Sequence, residues 1–209
     1  MRFGGMKQFM LAAMLVCSGI LIFACARPAG DADQDNETAM STTRTAFPDL
    51  PLADLMRTAG LQQGDIWIYI DKSDMQLLIK HDTATIKTYP VVLGGNPVGD
   101  KRMEGDQKTP EGEFALRSIY PHKKWSKFLW VNYPTDESWD KFNKAKAAGE
   151  IPKNASIGGE LGIHGVPEGY DALIDEMQNW TLGCISLKNV HIDEIFDAVK
   201  VGTKVVIVA

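Results

Sequence analysis

The stretch DIWIYIDKSDMQLLIKHDTATIKTYPVVLGG, residues 65–95, sets the tightest limit on what this chain can fold into. Apolar residues alternate over Ile66–Ile70, return over Met75–Ile79 and again over Thr85–Leu93, with polar turns at Lys72-Ser73-Asp74 and His81-Asp82 between them. A period of two lines one face of a strand; it does not make the stripe of a helix, whose period is about 3.6. Short polar connections between such runs predict a β-meander. Gly94-Gly95-Asn96-Pro97 ends it, and GDQKTPEGEFALRSIY, residues 105–120, supplies a Gly/Pro-punctuated loop feeding a strand over Phe114–Ile119. Further strands are predicted over Trp130–Tyr133 and Lys204–Val208. Helices are few. TDESWDKFNKAKAAGE has Thr135 or Asp136 as cap and Gly149 as stop; in NVHIDEIFDAVKVG, Ile192, Ile195, Phe196 and Val199 repeat at helical spacing, with Asn189 as cap and Gly202 as terminator. The expected class is mostly β, a β-rich α+β domain with a few peripheral helices.

The N-terminus stands outside that pattern. Residues 1–24 carry Arg2 and Lys7, no acid, and an almost unbroken apolar run from Phe9 to Ala24, the layout of a secretory signal. A permanent membrane anchor, which needs roughly 20 apolar residues, is the alternative. The run ends in Ile22-Phe23-Ala24-Cys25, which resembles a bacterial lipobox and implies lipidation of Cys25 as the new N-terminus. Residues 25–52, rich in Ala, Asp, Thr and Pro, read as a disordered tether that would let a lipid-anchored domain stand off a membrane. That leaves residues 53–209 as one domain; the chain's 44% hydrophobic content is enough to close a core. The net charge of −5, two units more negative once residues 1–24 leave, argues against a nucleic-acid partner.

Of three cysteines, Cys17 would leave with the signal and Cys25 would be consumed by lipid if the lipobox resemblance holds, which leaves Cys184 without a disulfide partner. A lone thiol is commonly a small buried hydrophobe. Its surroundings offer a chemical reading instead. GGELGIHGVPEG places His164 between Ile163 and Gly165, and WTLGCISL places Cys184 after Gly183. An imidazolium beside a thiol lowers its pKa from about 8.5 into roughly the 3.5–7.5 range and yields a nucleophilic thiolate. Gly183 allows backbone N–H groups to converge where an attacked carbonyl gathers negative charge. The competing reading of His164 is a core or surface histidine with a satisfied ring.

The pair IHG and TLGCISL resembles the signature of the L,D-transpeptidase catalytic domain, also called the YkuD-type domain. KTPEGEF, residues 108–114, is similar to that family's loop leading into the catalytic sheet. The resemblance spans about residues 64–208. It implies a mixed β-sandwich or barrel-like fold and acyl transfer on peptidoglycan stem peptides. Carried onto this sequence, Cys184 would attack the carbonyl of the third, diamino-acid residue of a tetrapeptide stem, expel the terminal D-alanine and leave a thioester. An amine on a second stem would resolve it as a 3–3 cross-link. His164 would be the base and Gly165 would orient it through its carbonyl. Backbone N–H groups of Gly183 and Cys184, with Leu182, would form the oxyanion hole. Thr181, Leu182, Ser186 and Lys108 are the expected substrate contacts, Lys108 with Thr109 and Gly112 shaping its loop rather than reacting. No metal or cofactor is expected, and a monomer is.

Two departures from the family pattern matter. Leu182 stands where the family commonly has a second histidine, and Ser186 stands where many members carry an arginine that meets a substrate carboxylate. Lys188 is a candidate substitute; otherwise it is a solvated surface lysine. Hydrolysis of the thioester, as a carboxypeptidase or as an amidase releasing wall-linked protein, is therefore an alternative outcome. A non-catalytic wall-binding lipoprotein is an alternative of another class. Trp125, Phe128, Trp130 and Tyr133, among Lys123, Lys124 and Lys127, would line a groove or else belong to the core. Residues 139–158 are expected as a lid, and His122 and His191 at the surface. Ala26 after Cys25 implies the periplasmic face of the outer membrane, or the outer face of the cytoplasmic membrane in a Gram-positive cell.

Overall fold

The structure, a computed structural model, describes residues 50–209. The expectations for the signal in residues 1–24, for Cys25 and for all but the last residues of the tether lie outside the described residues.

The alternating runs form β1 (Trp67–Asp71), β2 (Gln76–His81) and β3 (Ala84–Pro90), an antiparallel meander. Ile68, Ile70, Leu77 and Ile79 are fully buried, as a period of two requires. The closing strand, β8 (Lys204–Val208), runs parallel to β1 and antiparallel to β4 (Gly112–His122). The length of β4 ties two halves of the sheet together: Gly112–Ala115 pair with β8, and Leu116–His122 pair with β5 (Ser126–Val131). The ladder is irregular between Leu116 and Ser118, and the guanidinium of Arg117 lies 3.8 Å above the Trp130 ring. Next to β5 come β6 (Gly162–His164) and, parallel to it, β7 (Ile185–Ser186). The result is a mixed 8-stranded sheet in the order β3-β2-β1-β8-β4-β5-β6-β7. Val92, just beyond β3, bridges Ser186, so the two ends of that order meet.

The expected mostly-β class with peripheral helices stands, and the boundaries move. Among the described residues four helices occur: α1 (Leu52–Thr58), α2 (Asp136–Ala147), α3 (Ala172–Asp175) and α4 (Asn189–Ala198). Thr135 caps α2 by accepting from Ser138 N, and Gly149 follows the helix end with φ 71°. β5 lies earlier than predicted, because a tight hairpin at Lys123–Trp125 joins it to β4. Asn189 is not the cap of α4. Lys188 holds the extended cap conformation, and the Asn189 amide oxygen accepts from Val166 N at 3.1 Å. Gly202 is not the terminator either: α4 stops at Ala198, and Gly202 serves the following turn into β8. α1 leaves little pattern in the sequence, because its two buried anchors, Leu52 and Met56, sit at the end of a polar stretch.

Lys72, read from sequence only as a turn residue, is buried. Its ammonium donates to Gly99 O at 2.7 Å, Thr109 O at 3.1 Å and Glu111 Oε1 at 2.6 Å. It thereby fastens the long loop of residues 94–111 to the meander. Lys72→Met should lower stability by roughly 2–4 kcal/mol in urea unfolding, since two carbonyls and a carboxylate lose their donor.

Candidate active site

The register of β6 and β7 sets Ile163 beside Ile185 and His164 beside Ser186. Both isoleucines are fully buried in the core, so strand alternation sends Gly162, His164 and Cys184 to the opposite face. His164 and Cys184 there share one cavity of about 560 Å³ with Lys101, Trp125, Glu160 and Leu182 in its wall.

His164 is held on every side. Its Nδ1 lies 2.7 Å from Gly165 O. A carbonyl only accepts, so Nδ1 carries the proton and Nε2 keeps its lone pair as the base. Trp125 stacks on the imidazole at a centroid distance of 4.3 Å, Phe128 at 5.8 Å, and Trp180 meets it edge-on at 5.7 Å. Phe128 is the direct cross-strand neighbour of His164, whereas Trp125 reaches it from the β4–β5 hairpin, whose Trp125 O accepts from Gly165 N. Only glycine fits at 165: a Cβ there would lie 2.1 Å from Asn189 Oδ1 and 2.7 Å from Trp125 O.

Cys184 is free and partly exposed. Its thiol donates to Glu160 O at 3.6 Å rather than to His164. Glu160 reaches that position with φ 54°, a left-handed conformation rare for a non-glycine residue. The loop before the cysteine is stapled by Thr181, whose hydroxyl donates to Cys184 O at 2.7 Å and accepts from Gly183 N at 3.1 Å. Gly183 has φ 140°, and a Cβ on it would stand 2.7 Å from Lys108 O.

These surroundings favour a neutral thiol and a neutral imidazole over a thiolate–imidazolium pair. Burial pushes the Cys184 thiol up to about 11, against the lowering effects of the Gly162 N–H and the Lys101 charge, with Glu160 adding to the rise. Burial likewise pushes His164 down to about 4, a fall opposed by its bond to Gly165 and deepened by His122. Both groups are neutral at pH 7.

Several expected contacts are relocated. Ser186 is fully buried and its hydroxyl donates to Gly165 O at 3.2 Å, so it braces the carbonyl that holds His164 and does not face a substrate. Lys108 sends its ammonium to Val98 O at 2.7 Å, outside the cavity wall; its backbone carbonyl is what packs on Gly183. Lys188 pairs with Asp175 at 2.6 Å. The Thr181 hydroxyl is spent inside its own loop, and the Gly183 N–H, expected in the oxyanion hole, is spent on it. Leu182, 78% exposed, forms the rim. Tyr133 belongs to the core, and Lys127 pairs with Asp193. The expected lid divides: α2 lies beside Asp100 and Glu111, and only Gly158 of the 139–158 segment reaches the cavity. His122 stacks on Trp125 at 4.5 Å and His191 packs on Tyr89, so neither is a plain surface residue.

Sequence reasoning missed Lys101 and Asp106. The Asp106 carboxylate accepts from Lys101 Nζ at 2.8 Å, Arg102 N at 2.6 Å, Met103 N at 3.0 Å and Lys108 N at 3.0 Å, organising the whole loop. An aspartate beside glycine in a polar loop was the available signal, since Asp readily accepts from nearby backbone N–H groups. Among the described residues no cluster of three or more metal-ligating side chains occurs, and no helix is long and apolar enough to cross a membrane.

A family model described as L,D-transpeptidase catalytic domain (YkuD) matches residues 65–207. No curated protein is matched by sequence. Among solved structures, the helical cell shape determining protein Pgp2 from Campylobacter jejuni is 20% identical with a TM-score of 0.50, covering 75% of this chain and 54% of that one. Bdellovibrio bacteriovorus Bd1075 is 19% identical with a TM-score of 0.49, covering 69% and 48%. An L,D-transpeptidase from Mycobacterium smegmatis is 14% identical with a TM-score of 0.45, covering 69% and 59%. The chain thus spans about half the length of the solved relatives it matches.

The depressed His164 value has a consequence for stability. The unfolded chain takes up a proton near pH 6.5 and the folded one only near pH 4, so protonation favours unfolding across that window. Relative to His164→Gln, the wild type should lose on the order of 3 kcal/mol as pH falls from 6.5 through 4, read by urea unfolding.

Proposed function

The chain belongs to the L,D-transpeptidase (YkuD) catalytic-domain family, and from that premise we propose that it is a cysteine-dependent acyltransferase acting on peptidoglycan tetrapeptide stems. The observation that carries this reading is the tautomer lock: Gly165 O fixes the Nδ1 proton of His164, leaving Nε2 basic in the same cavity as the Cys184 sulfur. A cavity of about 560 Å³ is of a size suited to a short peptide.

In the proposed reaction the thiol turns from Glu160 O toward His164. Since both groups rest neutral, proton transfer to Nε2 accompanies attack on the stem carbonyl and no thiolate is stored beforehand. The S–C bond forms as the carbonyl π pair moves to oxygen. Collapse breaks the C–N bond, and the proton on Nε2 passes to the departing D-alanine amine. An amine acceptor, deprotonated by the same Nε2, then attacks the thioester carbonyl; the S–C bond breaks, Nε2 returns that proton to the Cys184 sulfur and a 3–3 cross-link forms, while water in its place gives a tripeptide. Lipidation at Cys25, a periplasmic location at the outer membrane and a monomeric state complete the proposal. They rest on the N-terminal sequence and on the family's substrate.

Purified sacculi incubated with wild type and with Cys184→Ala, followed by mass spectrometry of the muropeptides, test the reaction. We expect 3–3 dimers with the wild type and none with the variant; tripeptides without dimers would make the protein a hydrolase, and no change at all would leave a wall-binding module. For the wild type, kcat/KM should hold its plateau down to near pH 4 instead of falling near 6.5, because the base stays unprotonated to that point.

A further inference from the structure

The oxyanion side of this cavity lacks a donor that its sequence promised. The Gly183 N–H is bonded to Thr181 Oγ1, so it is not free to meet a substrate oxygen. Beside it stands a cation. Lys101 lines the cavity together with Cys184 and Gly183, and its Nζ is 3.9 Å from where a Cβ on Gly183 would sit.

We propose that Lys101 is a catalytic residue of this site: its ammonium, fixed by Asp106 beside Gly183, meets the negative charge that moves from the Cys184 sulfur to the carbonyl oxygen during attack. The inference rests on the acyl-transfer reading above and names the group that stabilises its transition state.

Three features of the geometry support it. The Lys101 side chain is only 7% exposed and Asp106 9%, so the cation acts from within protein rather than through water. Its position is fixed in advance. Lys101 Nζ donates to Asp106 Oδ1 at 2.8 Å and to Met103 O at 3.1 Å, while Asp106 is itself held by three backbone N–H groups. An ammonium has three N–H donors, so one remains for the cavity. The charged groups acting on the thiol are Lys101 and Glu160, with opposite effects, and His164 faces it neutral. Of these charges Lys101 is the one that favours negative charge at the sulfur, in the same direction as the Gly162 N–H. It gives up no proton: the thiol proton goes to His164 Nε2, the sulfur pair forms the S–C bond, and the carbonyl π pair becomes the oxyanion that the ammonium faces.

The test uses the full chain as wild type, Lys101→Met, and the double variant Lys101→Met/Asp106→Asn. The double variant removes the buried anion along with its partner and so covers the case in which Lys101→Met alone fails to fold. Two quantities are read: the pH dependence of Cys184 alkylation by iodoacetamide, and kcat and KM on a tetrapeptide stem. Both variants should move the alkylation midpoint to higher pH and lower kcat by about 100-fold with KM nearly unchanged. An unchanged alkylation midpoint in a folded variant overturns the proposal. So does a loss confined to KM, which would make Lys101 an anchor for a substrate carboxylate. Should the wild type turn over no stem peptide, the acyl-transfer reading fails by itself. The alkylation shift then still decides whether Lys101 acts on the sulfur.

Discussion

One backbone carbonyl organises the geometry of this cavity. Gly165 O accepts from His164 Nδ1 at 2.7 Å and from Ser186 Oγ at 3.2 Å, each donor coming from a different strand of the β6–β7 pair. The first bond fixes which ring nitrogen carries the proton and which can act as base. The second occupies the remaining acceptor capacity of the oxygen and ties β7, and with it Cys184, to the strand that carries the histidine. A carbonyl in this role carries no charge. The imidazole is thus oriented as by the third member of a triad, without the electrostatic pull that a carboxylate would exert on it.

That missing pull, together with the aromatic wall, explains the neutral resting pair. Trp125, Phe128 and Trp180 remove water from around His164 and offer no compensating anion. Desolvation therefore dominates and favours the uncharged ring. The thiol meets the same condition, and its hydrogen bond to the Glu160 carbonyl suits the protonated form. A site built this way keeps its cysteine protonated at neutral pH.

How much of this was legible beforehand depended on whether a feature is local. The alternation in residues 66–93 marked β1–β3, because a period of two has one structural meaning; the five-residue run at 204–208 marked β8 for the same reason. The pairing of Cys184 with His164 in one cavity followed from motif resemblance. Position inside a loop was not legible. Lys101 and Lys108 lie in the same polar stretch with similar neighbours, yet Asp106 draws the first inward while the second reaches out to Val98 O. Asn189 looked like a helix cap by type and place, but a nonlocal partner, Val166 N, claimed its side chain. The Gly183 N–H was read as available because the Thr181 hydroxyl that takes it has two acceptable roles in sequence, and only the folded loop chooses. Protonation depends on context in the same way: His and Cys side by side suggest an ion pair, and burial, which opposes that preference, is a property of the assembled aromatic wall.

The cavity is consequently built from two unlike halves. One is strand, where His164 and Cys184 gain their placement from ladder register and from isoleucines beneath them in the core. The other is the loop of residues 94–111, which has no regular ladder and depends on two knots of opposite design. In the first, a buried cation, Lys72, gathers two carbonyls and Glu111. In the second, a buried anion, Asp106, gathers three amides and Lys101. Between them they pair backbone groups at both ends of an irregular loop that has no ladder to satisfy them. The positions of Cys184 and His164 are thereby set by the sheet and the placement of Lys101 by the loop, so sequence change in the loop can alter the charge lining the cavity without moving the thiol and the imidazole.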